Sequence, residues 1–85
     1  MYTVYVIRSR VSGMLYTGQT SNFERRFEQH QQGISRFTRG RGPWEIILTE
    51  RHNTLIEAMR RERFLKSGRG REWLKEKLNS MIPPQ

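Results

Sequence analysis

Apolar and polar positions change their period several times along this chain, and those changes mark its elements. Residues 2–7 (YTVYVI) and 14–18 (MLYTG) are rich in β-branched and aromatic side chains, and the polar link between them carries Ser and Gly. This pattern predicts a β-hairpin with a longer loop. From Asn22 the period becomes helical. Phe23 and Phe27 fall one turn apart, Ser21 and Glu24 have the spacing of a capping box, and Gly33 supplies a stop, so a helix is expected over 22–32. A loop rich in Gly and Arg leads to Pro43, after which residues 44–49 (WEIILT) have the composition of a third strand. Thr54 with Glu57 repeats the capping spacing and opens a helix expected over 54–66. Gly68 and Gly70 should break it, leaving a short last helix over 71–79 with Trp73, Leu74 and Leu78 turned inward, and Pro83-Pro84 should end the chain as a tail. The order β-β-α-β-α-α implies an α/β (α+β) fold, a small and largely antiparallel three-stranded sheet flanked by helices. We expect one domain over 1–80 and a tail over 81–85.

Composition narrows the chemistry. At 85 residues there is room for one thin core. With no cysteine, disulfides and thiolate zinc sites are excluded, and with two histidines, His30 and His52, a metal would depend on carboxylates. The longest apolar runs fall far short of the roughly 20 residues that cross a bilayer, and no signal-peptide core is visible, so a cytoplasmic protein without a membrane partner is expected. Sixteen Lys and Arg face eight acidic residues, all Glu, for a net charge of +8, which favours a polyanion. The positive charge is clustered. Arg36, Arg39 and Arg41 occupy an acid-free stretch over 33–44, and Arg60, Arg61, Arg63, Lys66, Arg69 and Arg71 are interrupted only by Glu62. Arginine predominates, as phosphate recognition through a planar fork would prefer.

Several residues point to a site. Tyr5 and Tyr16 lie on the two hairpin strands, within cross-strand reach, although strand tyrosines most often only pack. Gly18 would leave that face open to a ligand. On the first helix, Arg26 and His30 fall beside the Phe23/Phe27 stripe while Arg25 points away. The plainer readings are a snorkelling arginine and a boundary histidine bonded to backbone. Glu62 falls on a helical wheel between Leu55 and Ala58, flanked by Met59 and Leu65, where an unpaired carboxylate would cost several kcal/mol. Either an internal ion pair with an arginine or a divalent cation would explain it.

Tyr2-Thr3-Val4-Tyr5 and Tyr16-Thr17-Gly18 resemble the two signature tripeptides of the GIY-YIG nucleases. Arg26, ten residues after the second tyrosine, resembles the family arginine, His30 a histidine seen in many members, and Glu62 the metal-binding glutamate. The stretch over 36–43 (RFTRGRGP) is similar to the small single-domain bacterial branch. Thr3-Val4 and Thr17 depart from the signature at strand packing positions, Gln19 stands where some members carry lysine, and the asparagine that several members place after the glutamate helix has no secure match.

The resemblance implies a metal-dependent endonuclease acting in DNA repair or processing. Tyr5 or Tyr16 would activate water or orient the phosphate, Arg26 would neutralise developing charge, His30 would move protons or bind a phosphate oxygen, and Glu62 would hold one magnesium or manganese ion. Arg36, Arg39, Arg41 and Lys66 would grip the backbone of nucleic acid, DNA ahead of RNA, with no small-molecule cofactor and with a separate targeting protein as a conceivable partner. Two other readings stand beside it. One is a non-catalytic basic nucleic-acid-binding module that retains the fold. The other is an interaction domain using Trp44 or Trp73, which the expected core positions of both tryptophans disfavour.

Overall fold

The structure, a computed structural model, describes residues 1–34 and 36–81. Three strands form one antiparallel sheet: β1 (Tyr2–Ser9) in the middle, β2 (Leu15–Thr20) and β3 (Trp44–His52) at its edges. Helix α1 (Phe23–Gln31) covers one face, and α2 (Leu55–Lys66) and α3 (Gly68–Met81) cover the other. This is the expected order and class. The Pro83-Pro84 tail lies outside the described residues.

The pleat of β1 divides the core. Val4 and Val6 point to the α2/α3 side, where they join Leu48, Ala58, Leu65 and Leu74. Tyr5 and Ile7 point to the α1 side and pack with Trp44, Tyr16, Phe23 and Phe27. Burial on both faces makes β1 an almost continuous apolar run. A bulge opposite Val6 and Ile7 shifts the register of β3, so that Ile47 and Leu48 both reach the α2/α3 core while Ile46 is exposed. Trp44 is fixed at the start of β3 by the Gln31 side chain, whose amide nitrogen donates to the Trp44 carbonyl and whose oxygen accepts the Trp44 N–H, each at 2.8 Å. The side-chain amide acts as a neighbouring strand and ties α1 to the sheet edge.

Two local expectations need correction. The N-cap of α1 is Asn22, not Ser21: the Asn22 side chain accepts the Arg25 N–H at 3.2 Å. Thr54 caps α2 as its sequence suggests. The glycines do not break the last helix, which starts at Gly68 rather than at residue 71; the break is Ser67 alone, extended at ψ 167°. Its hydroxyl donates to the Phe64 carbonyl at 2.5 Å and accepts the Gly70 N–H at 3.2 Å, serving the end of one helix and the start of the next. Gly70 is required by closeness, since a Cβ there would lie 1.9 Å from the Phe64 carbonyl oxygen.

Candidate active site

Tyr5, Tyr16, Arg26 and His30 converge between β1, β2 and α1. Tyr5 is opposite Gly18 in the ladder and Tyr16 is opposite Ile7, which places the two phenols diagonally on the α1 face with ring centroids 6.1 Å apart. Gly18 is not an open approach for a ligand. A Cβ at that position would meet the Tyr5 hydroxyl at 2.7 Å and the Tyr16 ring at 3.2 Å, so the missing side chain is the space the phenols occupy.

His30 is fully buried, with both ring nitrogens engaged: Nε2 lies 2.8 Å from the Tyr5 hydroxyl and Nδ1 3.0 Å from the Thr38 hydroxyl. Burial, aided by the nearby Arg26 guanidinium, pulls its pKa down to about 4, so the ring is neutral at physiological pH. Burial and the neighbouring Tyr16 push the Tyr5 phenol well above its ordinary range, against the opposing pull of Arg26. Arg26 is partly buried, and Arg25 is exposed. Desolvation lowers the pKa of Arg26, but interaction with the Tyr5 and Tyr16 hydroxyls raises it above its ordinary value, so the guanidinium stays charged.

Tyr16 is the partly exposed phenol of the pair. Its ring lies 4.8 Å from His30 and 5.1 Å from Phe37 on the loop that follows α1. Thr38, on that same loop, is buried and belongs to the site through His30. Threonine in a basic loop carries no sequence signal for that role.

Glu62 stands apart from this cluster. Its expected place on an apolar face is not what α2 shows: Leu55 and Met59 are 41% and 49% exposed, and the buried arc is Ala58 and Leu65. Arg61 extends that arc inward, because it forms a two-pronged ion pair with Glu50 at 2.8 and 3.0 Å and stacks on Phe64 and Trp73. Desolvation would raise the Glu50 pKa, but Arg61 and His52 hold it below the usual carboxylate range. Counting apolar residues alone therefore rotates the helix about 60° in error. Glu62 sits at the border of the core and pairs with Lys66 at 2.5 Å, not with an arginine. It opens on a pocket of about 400 Å³ shared with Gln19, Met59, Arg63 and Lys66. Gln19 is opposite Val4, on the α2 side of the sheet, whereas Tyr5 and Tyr16 face α1. The two groups meet only around the β2 edge, where Lys66 lines both the Glu62 pocket and a second pocket containing Tyr16.

Among the described residues no cluster of three or more His, Cys, Asp or Glu could hold a metal. A magnesium ion nonetheless keeps several waters and takes one or two carboxylates plus phosphate oxygens. One carboxylate on an open pocket satisfies that demand once Lys66 yields an oxygen. Glu62, with the Gln19 amide beside it, is the donor set that fits.

Of the loop arginines, Arg36, Arg39 and Arg41 are all exposed. Arg39 donates to the Gly33 carbonyl and Arg41 to the Phe37 carbonyl, and the Arg41 guanidinium also lies over the Phe37 ring at 4.9 Å. No described helix is long and apolar enough to cross a membrane.

The GIY-YIG catalytic domain family matches this chain over residues 1–79. A UPF0213 protein of Natronomonas pharaonis is 46% identical over 65 residues, 75% of each chain. One from Oceanobacillus iheyensis is 41% identical over 64 residues, 74% of this chain and 73% of its own. The solution NMR structure of the UPF0213 protein of Bacillus halodurans is similar with a TM-score of 0.55 at 36% identity, covering 89% of this chain and 84% of that one. The structure-specific endonuclease subunit SLX1 of Homo sapiens is 40% identical over 52 residues, which are 56% of this chain but 19% of the human protein.

Proposed function

This chain belongs to the GIY-YIG nuclease family, and from that premise we propose that it is a metal-dependent endonuclease hydrolysing phosphodiester bonds, in DNA ahead of RNA, during repair or processing. The observation that carries the reading is the cluster of Tyr16 and the charged Arg26 above the buried Tyr5–His30–Thr38 chain.

The Arg26 guanidinium donates to Gln29 Oε1 at 3.1 Å and has only donors to turn toward the neighbouring Tyr5 oxygen, which leaves the phenol proton for His30 Nε2. The His30 Nδ1–H then donates to Thr38. This polarity fixes the imidazole tautomer and holds Tyr5 as a neutral donor that positions its neighbours. Tyr16, being partly exposed, is the phenol that reaches substrate, where it orients the phosphate or the attacking water. Arg26 neutralises charge gathering on the phosphoryl oxygens. Fully buried, His30 acts through Tyr5 rather than on the phosphate itself. Nucleases of this family generally use a divalent cation; Glu62 would hold it here, and bound there it would polarise the phosphate as a Lewis acid. Arg36, Arg39 and Arg41 on the loop, and Lys66 at the β2 edge, grip the flanking backbone.

The Lys66–Glu62 ion pair favours a second reading, a nucleic-acid-binding module that keeps the fold without cleaving. Cleavage of branched, nicked and flap DNA by wild type and Glu62→Gln, with and without magnesium, separates the two. We expect magnesium-dependent cleavage by wild type and a loss of at least 100-fold in the variant, comparable to removing one strong transition-state interaction. Salt-sensitive binding with no cleavage of any substrate by wild type would establish the second reading instead.

A further inference from the structure

The second pocket, about 320 Å³ in volume, opens between the β2 edge and the corner of α2 and α3. Leu65 and Leu74, each 1% exposed, form its floor. Tyr16 and Phe37 form one wall, their rings tilted by 40°, and Lys66 and Arg71 are its cations. Among the described residues no acidic side chain lines it. Phe37 is 41% exposed, a large apolar ring that the core did not absorb, and the Arg41 guanidinium lies against it.

An aromatic wall over an aliphatic floor, with positive charge on the same pocket, matches a planar heterocycle that carries phosphate. Small-ligand pockets begin at about 300 Å³, so this one accepts a single base with its sugar and has no room for a base pair. We propose that the pocket takes one unpaired nucleobase, stacked on Phe37 with the Tyr16 ring against its edge, and with the adjoining phosphate held by Lys66 and Arg71. Because Tyr16 belongs both to this pocket and to the tyrosine cluster, the substrate is a nucleic acid offering a single-stranded or extruded nucleotide beside the bond to be cut. That last step rests on the nuclease reading, whereas the base pocket itself does not.

The test is an NMR titration of the full chain, without metal, with 2′-deoxyadenosine 5′-monophosphate and with 2-deoxyribose 5-phosphate. The mononucleotide should shift the Leu65 and Leu74 methyls and the Phe37 ring, and should bind at least tenfold more tightly than the sugar phosphate. Phe37→Ala should weaken it about tenfold, within the range of one base–aromatic stack, and Phe37→Trp should restore it. Both variants change an exposed ring, and their amide spectra report that the fold is intact. Equal binding of the sugar phosphate would make the pocket an anion site and overturn the proposal, as would unchanged mononucleotide binding by Phe37→Ala. No bond is cleaved in this measurement, so its failure leaves the nuclease reading standing, and an inactive chain still reports base binding.

Discussion

Tyr5 and Gly18 are ladder partners, and the site depends on what residue 18 lacks. In Gly18→Ala the new methyl would start 2.7 Å from the Tyr5 hydroxyl, whose ring is buried and cannot swing into solvent. We expect a loss of about 1–3 kcal/mol, typical of overpacking, together with a broken Tyr5–His30 bond. Chemical denaturation and the ¹⁵N shift of His30 Nε2 check the two effects. His30 gives a second prediction, in pH. Its folded pKa, about 4, lies below the unfolded value near 6.5, so the unfolded chain binds the proton first. Stability from this residue is complete above pH 6.5 and falls through that window to a loss on the order of 3 kcal/mol at about pH 4. Thermal melts of wild type and His30→Gln across this range should differ in slope, the variant being flatter. At this scale the sequence is only partly legible. Arg26 can be preferred to Arg25 from helical period alone, but nothing in the residue string distinguishes an exposed Thr38 from one that holds a buried imidazole.

Elements are easier to read than their ends and rotations. Hairpin, helix, strand and helix follow from changes of period, while the start of α3 depends on contact between elements that no period encodes. Two glycines two residues apart look like a break, yet one of them lets α3 cross the end of α2. Helix interiors ordinarily gain about 1 kcal/mol when Gly becomes Ala. Gly70→Ala should do the reverse, because the obstacle is the Phe64 carbonyl and the Leu65 Cα, neither of which can rotate away. A loss of about 3 kcal/mol or more is expected. Gly68→Ala is the internal control: its Cβ meets nothing within 4 Å, so it should stabilise by about 0.5–1 kcal/mol. Thermal melts of the two single variants should move in opposite directions. The rotation of α2 is hidden for a related reason. Apolar periodicity treats every arginine as polar and outward, whereas Arg61 is an inward residue because Glu50, eleven positions earlier on β3, receives it.

For the whole molecule, a charge of +8 predicts affinity for any polyanion, and the structure divides that charge into parts with different duties. Arg61 is spent on Glu50, Arg8 and Arg10 face Glu45, and Lys66 is shared with Glu62. Arg36 and Arg39 stand exposed on the loop above Tyr16, with Arg41 laid against Phe37. The contributions to binding should therefore be unequal. For single-stranded DNA, removing one cation from its phosphate should reduce the slope of log K against log salt by about 0.7. Arg36→Ala and Arg39→Ala together should lower it by about 1.4, uniformly across sequences, since groups that touch only phosphate carry no base information. Arg61→Ala should leave the slope unchanged while lowering the melting temperature, because its guanidinium is bound to a carboxylate. Fluorescence titrations from about 50 to 200 mM salt resolve these values. Equal slope changes in all three substitutions would mean that charge acts as a uniform cloud, and that the arrangement around Tyr16 does nothing to seat the strand.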